Sequence, residues 1–325
     1  MDTCPAPFRE PVGCKRAPAW QRFRPTIGMD FPAPREWLLA MSSVSTSENQ
    51  NLSQPPDIGS RAGADTGFSP DEVSQFERDG FLIARGLAGG DWATRMLQVT
   101  REHLERELPP VELEAEVHYP GAPESIDQPG GRTIRRLKQA HSRDIVFTEW
   151  ICHLPLVRRL TQLLGPGVVM PLAHHNCVMT KQPHHSSDTR WHRDIRYWNF
   201  TTPELVSVWL ALGNEYPENG GLFVIPGSHR VDFQPSQLDD ALFFREDVSE
   251  NRAMLDSAVP VELTPGDVLF FHARTLHMAT RNKTAEPKFS AVFTFRAADN
   301  PPIPESRSAA AGEVVLPELP DQTHS

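Results

Sequence analysis

After Gly165-Pro166-Gly167 the chain breaks into short apolar, β-branched and aromatic runs, at 168–172, 177–179, 206–212, 222–225, 259–263, 268–271 and 289–295, separated by Gly, Pro and Asn. Runs this short, punctuated this often, are strands of a sandwich or barrel. Helical signals come earlier. Ser69-Pro70-Asp71-Glu72 has the pattern of an N-cap followed by proline at the first helical position and an acid at the third, predicting a short helix through Phe76. Gly80 ends it and Phe81-Leu82-Ile83-Ala84 starts a strand. The segments 93–107 and 144–164 read as helices, the second with Ile145, Ile151, Leu160 and Leu164 on its apolar side and Pro155 as an interruption. The expected fold is mainly β, with helices first and flanking the β-core.

The flanks differ from this body. Residues 1–64 hold nine prolines and a Ser/Asn/Gln-rich stretch at 41–56, too little apolar surface to offset chain entropy, so a disordered N-terminal extension is expected there. Met29 and Met41 leave the natural start open. Pro301, Pro302, Pro304, Pro317 and Pro320 mark 301–325 as a Pro-rich C-terminal tail, which leaves 65–300 as the working domain.

Charge and composition narrow the function. Residues 1–64 carry seven Lys/Arg and six Asp/Glu, which leaves 25 against 36 for residues 65–325. A body that acidic lacks the basic footprint of a nucleic-acid binder and suits a small-molecule substrate. Any phosphate on that substrate must be met by a local cluster such as Arg132, Arg135, Arg136 and Lys138. No apolar stretch approaches a membrane span, and the first residues lack a secretory pattern. Cys4, Cys14, Cys152 and Cys177 show neither metal-binding nor disulfide spacing. A cytoplasmic enzyme, monomeric or homodimeric, with no nucleic-acid or membrane partner, is expected.

The chemistry lies in Trp191-His192-Arg193-Asp194 and, far downstream, Phe270-Phe271-His272-Ala273-Arg274-Thr275-Leu276-His277. His192 and Asp194 stand two residues apart, so on an extended strand both side chains leave one face and can reach one ion. With a second imidazole from downstream they would form the 2-His-1-carboxylate set of non-haem Fe(II) oxygenases, which leaves three coordination positions open.

Five ordered blocks give this a family context. Gln75-Phe76-Glu77-Arg78-Asp79-Gly80-Phe81-Leu82, then His192-Arg193-Asp194, then Glu218-Asn219-Gly220-Gly221 with Ile225-Pro226-Gly227-Ser228-His229, then Thr264-Pro265-Gly266-Asp267-Val268-Leu269-Phe270-Phe271-His272, then His277 resemble the phytanoyl-CoA dioxygenase family of Fe(II)/2-oxoglutarate oxygenases, over roughly 69–298. The resemblance implies a double-stranded β-helix, a cupin-like jelly roll, with His192, Asp194 and His277 as iron ligands and His272 as a neighbour that does not ligate. It implies Fe(II), 2-oxoglutarate and O₂ as cofactor and cosubstrates, release of succinate and CO₂, and attack on an unactivated C–H bond. Asp194 argues for hydroxylation over halogenation, since related halogenases lack the carboxylate. Desaturation, cyclisation or epimerisation by the same iron chemistry stays open, and so does a catalytically silent jelly-roll binding module.

The cosubstrate site departs from the family pattern. The family's Arg eleven residues after the distal His is here Lys288, a point charge in place of a two-pronged donor. The Ser two residues after that His is Ala279. By the resemblance, Lys288 pairs the far carboxylate of 2-oxoglutarate, aided by Ser290 or Thr280, with Trp209 and Lys181 also in the pocket. Arg193, Arg196, Tyr197 and Trp198, beside the ligands, are candidate substrate contacts. The pairs His174-His175 and His184-His185 raise a second metal site, but adjacent strand residues point to opposite faces.

Overall fold

The computed structural model describes residues 67–319, so the expectation for 1–64 lies outside the described residues. In chain order the elements are α1 (Pro70–Asp79), β1 (Phe81–Ala84), α2 (Gly89–Glu105), β2 (Val111–Leu113), β3 (Ile134–Lys138), α3 (Ile145–Ile151), α4 (Leu154–Leu164), β4 (Val168–Pro171), β5 (Asn176–Lys181), β6 (Thr189–His192), β7 (Leu205–Ala211), β8 (Leu222–Val224), α5 (Arg252–Leu255), β9 (Val259–Pro260), β10 (Val268–His272), β11 (His277–Ala279), β12 (Lys288–Ala297) and β13 (Glu313–Val315). All strand pairs are antiparallel. The larger sheet runs β1-β10-β7-β12-β5-β3-β2, with β4 joined to β12 and β13, and the smaller runs β6-β11-β8-β9.

Local chemistry starts the body as expected. Ser69 Oγ accepts from the Glu72 N–H at 3.3 Å and Glu72 returns a bond to the Ser69 N–H at 2.8 Å, a complete capping box. Gly80 ends α1 at φ 79, and a Cβ there would sit 2.3 Å from the His229 ring. The 144–164 helix is in fact two. A break at Cys152-His153 puts Pro155 in the first turn of α4, where its missing N–H costs nothing, and leaves Ile145 61% exposed instead of on the apolar side.

Strands β7, β10 and β12 are buried on both faces, which is why they read as continuous apolar runs. Val206, Val208, Leu210, Phe270, Phe293 and Phe295 pack outward against Met96, Phe147, Trp150 and Leu160 of the helices. The alternate residues Trp209, Leu269, Phe271 and Val292 face inward, against Leu222, Val224 and Ala279 of the smaller sheet. The helices therefore buttress one sheet while the site forms between the two, as in a jelly roll.

The C-terminal segment departs from the expectation of a tail. β13 pairs with β4, Val314 opposite Met170, and Leu316 is buried with its N–H bonded to Val168 O at 2.9 Å. Buried Arg296 donates to both oxygens of Glu313, at 2.8 and 2.6 Å. The prolines hid a short β-branched run that the edge of β4 captures. Leu316→Ala should cost roughly 2–5 kcal/mol, the range for emptying a buried leucine site. The check is the urea midpoint, and an unchanged midpoint would show that this segment does not hold the sheet.

Candidate metal centre and cosubstrate cavity

β6 ends on His192 and β11 begins on His277, and the two residues are direct partners in the antiparallel pair. Strand pairing thus places two imidazoles side by side, their ring centroids 4.3 Å apart. Asp194 opens a 3₁₀ turn instead of continuing the strand. Arg193 between them is still extended, at φ −109 and ψ 138, so residues 192 and 194 face the same way. Asp194 Oδ1 lies 3.8 Å from His192 Nε2 and 3.6 Å from His277 Nε2, and among the described residues these three form the one group with metal-binding spacing. Ligands held about 2.1 Å from one ion at near-right angles stand about 3 Å apart, so a small inward movement completes the set.

The second ring nitrogens are tied down. His192 Nδ1 meets Arg190 O at 2.8 Å and His277 Nδ1 meets Thr275 O at 3.0 Å. A carbonyl only accepts, so each Nδ1 carries the proton and each Nε2 presents its lone pair to the centre. Burial holds the His192 imidazole well below its usual range, and burial lowers His277 as well. Neutral rings are the form a metal needs. Burial alone would raise the Asp194 carboxyl, but the His175 imidazole beside it outweighs that and keeps the group ionised. Ser207 Oγ donates to its Oδ2 at 2.9 Å.

His272 stands apart, with Nε2 3.0 Å from Glu204 Oε2 and Nδ1 accepting the Arg274 N–H. His175, singled out in the sequence only as half of a histidine pair, comes within 3.0 Å of Asp194 Oδ1. Burial would lower its pKa, but Asp194 prevails and raises it to about 9. Its neighbour His174 meets Ser308 Oγ at 2.8 Å and stacks on Trp198; the two histidines sit in a bend, not a strand, and line one cavity, but among the described residues they belong to no second group with metal-binding spacing. Arg193 is structural: it bonds Ser228 O and Val231 O and lies over the Phe233 ring.

One cavity runs from the three ligands between Trp209, Leu222 and Phe271 to Lys181, Lys288 and Arg135. Lys181 and Lys288 are direct cross-strand partners on β5 and β12, and like charges so placed repel. Lys288 is neutralised from within. Its Nζ lies 2.9 Å from Glu215 Oε2 and 2.9 Å from Ser290 Oγ, while Ser290 and the Trp209 indole N–H also donate to Glu215. Arg135 has Glu114 at 3.4 Å. Lys181, buried to 6% exposure, bonds only the Ser187 carbonyl, and among the described residues no carboxylate pairs with it. Burial, then Arg135, pushes its pKa well below the usual lysine range. Of the basic residues lining the cavity, Arg135 and Arg136 are met by Glu112 and Glu114 and Lys288 by Glu215, which leaves Lys181 as the one without a carboxylate.

Glu215 was not visible in the sequence, where it falls between motif blocks. Thr280 donates its hydroxyl to Pro217 O at 2.6 Å and does not line the cavity, contrary to expectation. Ser290 lies behind Lys288 as its hydrogen-bond partner. Gly220, at φ 88, brings the Asn219-Gly220-Gly221 turn against the cavity, where a Cβ would meet Thr280 O at 2.9 Å and Lys181 Cγ at 3.1 Å.

A buried facial pair of imidazoles with one carboxylate, between two antiparallel sheets, defines the class of iron-dependent oxygenases. The Phytanoyl-CoA dioxygenase family profile matches residues 76–290, and the chain belongs to that family of dioxygenases. It is similar to the ectoine dioxygenase of Streptomyces avermitilis, 25% identical over 252 residues that cover 70% of this chain and 79% of that one. The human peroxisomal phytanoyl-CoA dioxygenase is 24% identical over 221 residues, 64% of this chain and 62% of that one. Among solved structures, EctD from S. alaskensis with 2-oxoglutarate and 5-hydroxyectoine aligns at TM-score 0.62 and 20% identity, over 77% of this chain and 83% of that one. The epimerase SnoN in complex with Fe³⁺, alpha ketoglutarate and nogalamycin RO aligns at 0.58 and 21%, over 72% and 85%. These likenesses carry the jelly-roll fold. No helix among the described residues is long and apolar enough to cross a membrane.

Glu215→Ala should cost roughly 3–5 kcal/mol, because it strands the buried Lys288 ammonium and the Trp209 N–H together. Urea unfolding reads this, and Glu215→Gln should lose less because it keeps acceptor oxygen. Parent-like stability of the alanine variant would mean that Lys288 has another anion within reach.

Proposed function

We propose that the chain is an iron(II)- and 2-oxoglutarate-dependent dioxygenase that hydroxylates an unactivated C–H bond of a small molecule. His192, Asp194 and His277 hold the iron in this reading. The observation that carries it is the convergence of two Nε2 lone pairs, each set by a backbone carbonyl on Nδ1, upon one ionised Asp194 oxygen. Iron with 2-oxoglutarate and O₂ supplies the oxidising power, with succinate and CO₂ released. The protein's part is placement. Asp194 is held by Ser207 and His175, and the apolar walls Leu222 and Phe271 keep water from the cosubstrate.

For the far carboxylate of 2-oxoglutarate, Lys181 is the stronger anchor, because Lys288 already serves Glu215. Lys288 and Trp209 flank it as cavity walls. The absence of a basic footprint on the acidic body and the free thiols of Cys152 and Cys177 agree with a cytoplasmic enzyme of small-molecule metabolism. Whether hydroxyl transfer or a desaturating, cyclising or epimerising outcome follows depends on the bond the substrate presents to the centre.

Purified protein should bind one Fe(II) per chain and release succinate when given 2-oxoglutarate, O₂ and its substrate. His277→Ala should abolish high-affinity Fe(II) binding, while His272→Ala should keep it. Full loading of the His277 variant would falsify the ligand set. Lys181→Ala should weaken 2-oxoglutarate binding more than about tenfold, on the scale of roughly 2–5 kcal/mol for one partner lost from a buried charge pair. Lys288→Ala should weaken it less, measured anaerobically by calorimetry with Fe(II) present. The reverse order would return the anchoring role to Lys288.

A further inference from the structure

A second cavity, ≈ 500 Å³, opens on the other side of the metal centre and shares Arg136, His175, His192 and Asp194 with the first. Its cations are Arg136, Lys138, Arg196 and Arg307, and its carboxylates are Glu112 and Asp194. Glu112 is engaged by Arg136 at 3.1 Å and Lys138 at 3.9 Å, and Asp194 faces the metal position. Arg196 and Arg307 are thus left over. Arg196 lies over the Tyr197 and Phe243 rings and reaches only the Ala241 carbonyl. Among the described residues neither arginine has a carboxylate partner.

A cation-rich chamber in a chain of net charge −10 is a local reversal of sign, and a low-dielectric cleft concentrates such a field on what enters it. The rest of the wall is aromatic: Tyr119, Tyr197 and Trp198 line the same cavity. Arg307 lies beyond residues 76–290, on the C-terminal segment, which is locked in place where Ser308 Oγ meets His174 Nε2 at 2.8 Å and the Asn199 N–H at 2.7 Å. The segment that looked like a tail is one wall of this chamber.

We infer that this chamber is the substrate site and that it takes an organic anion, a carboxylate or phosphate ester, whose charged group is gripped by Arg196 and Arg307 while its body lies along the aromatic wall beside the metal centre. The assignment rests on the iron-centre reading for the bond attacked, but the anion preference itself needs no metal. Two guanidiniums suit an oxyanion because each offers paired donors in one plane.

The test uses the full chain with Fe(II) and saturating 2-oxoglutarate, without O₂. Three probes are titrated by calorimetry: phenylacetate, benzyl phosphate and the neutral phenylacetamide. At least one anion should bind about tenfold or more tighter than phenylacetamide, the scale of a charge-assisted hydrogen bond, and the tighter one tells carboxylate from phosphate. Arg196→Gln and Arg307→Gln should each erase most of that preference and leave 2-oxoglutarate affinity in place, and Arg307→Lys should retain part of it. Equal binding of all three probes, or a preference that survives in both Gln variants, overturns the assignment. Repeating the titration without iron separates the two readings. Anion preference without iron binding sinks the iron centre alone, whereas iron binding without anion preference sinks this assignment alone.

Discussion

The site depends on one short stretch of backbone pairing, β11 against β6. Because His277 is the direct partner of His192, hydrogen bonds between two peptide segments more than eighty residues apart in sequence bring the two imidazoles side by side, ring centroids 4.3 Å apart. Neither imidazole needs a dedicated scaffold. The carbonyls of Arg190 and Thr275, two residues before each histidine, fix both tautomers by the same local geometry. Everything else in the fold serves to keep these two strands flush: the smaller sheet packs Leu222 and Val224 onto Trp209 and Phe271, and the helices hold the larger sheet from behind.

Much of this was legible in the chain because metal chemistry demands particular residue types at particular offsets. His192, Asp194 and His277 could be read so, and His272 could be set aside. The strands β7, β10 and β12 were legible because burial on both faces leaves an unbroken apolar run. What escaped has a common cause. Glu215 and His175 act through partners distant in sequence, and neither sits in a pattern that names its role. Strand β3 was read as a basic cluster because Arg135, Arg136 and Lys138 dominate it, although Leu137 is fully buried and the arginines are matched by Glu112 and Glu114. Arg132 stands apart from the others, over a separate surface depression.

The two lysines show how a substitution can be read only with its surroundings. Taken alone, lysine for arginine at position 288 suggests a weakened anchor. In the structure it is one member of a closed cluster with Glu215, Ser290 and Trp209, and its cross-strand neighbour Lys181 is the amine without a carboxylate. The pocket thus keeps one buried amine without a carboxylate, but on β5 and not on β12.

Strand β12 has a further consequence, one of timing. It is the centre of the larger sheet, bonded to β7, β5 and β4, yet it ends at Ala297, and β13 closes the β4 edge still later. While the chain emerges from a ribosome, β7 and β5 must wait with open edges for the strand that joins them, and no local hairpin can substitute. Such long-range pairing makes for slow folding and leaves unpaired edges available to other chains. The early helices α2, α3 and α4, whose hydrogen bonds are local and which cover the outer face of that sheet, are all synthesised before β12.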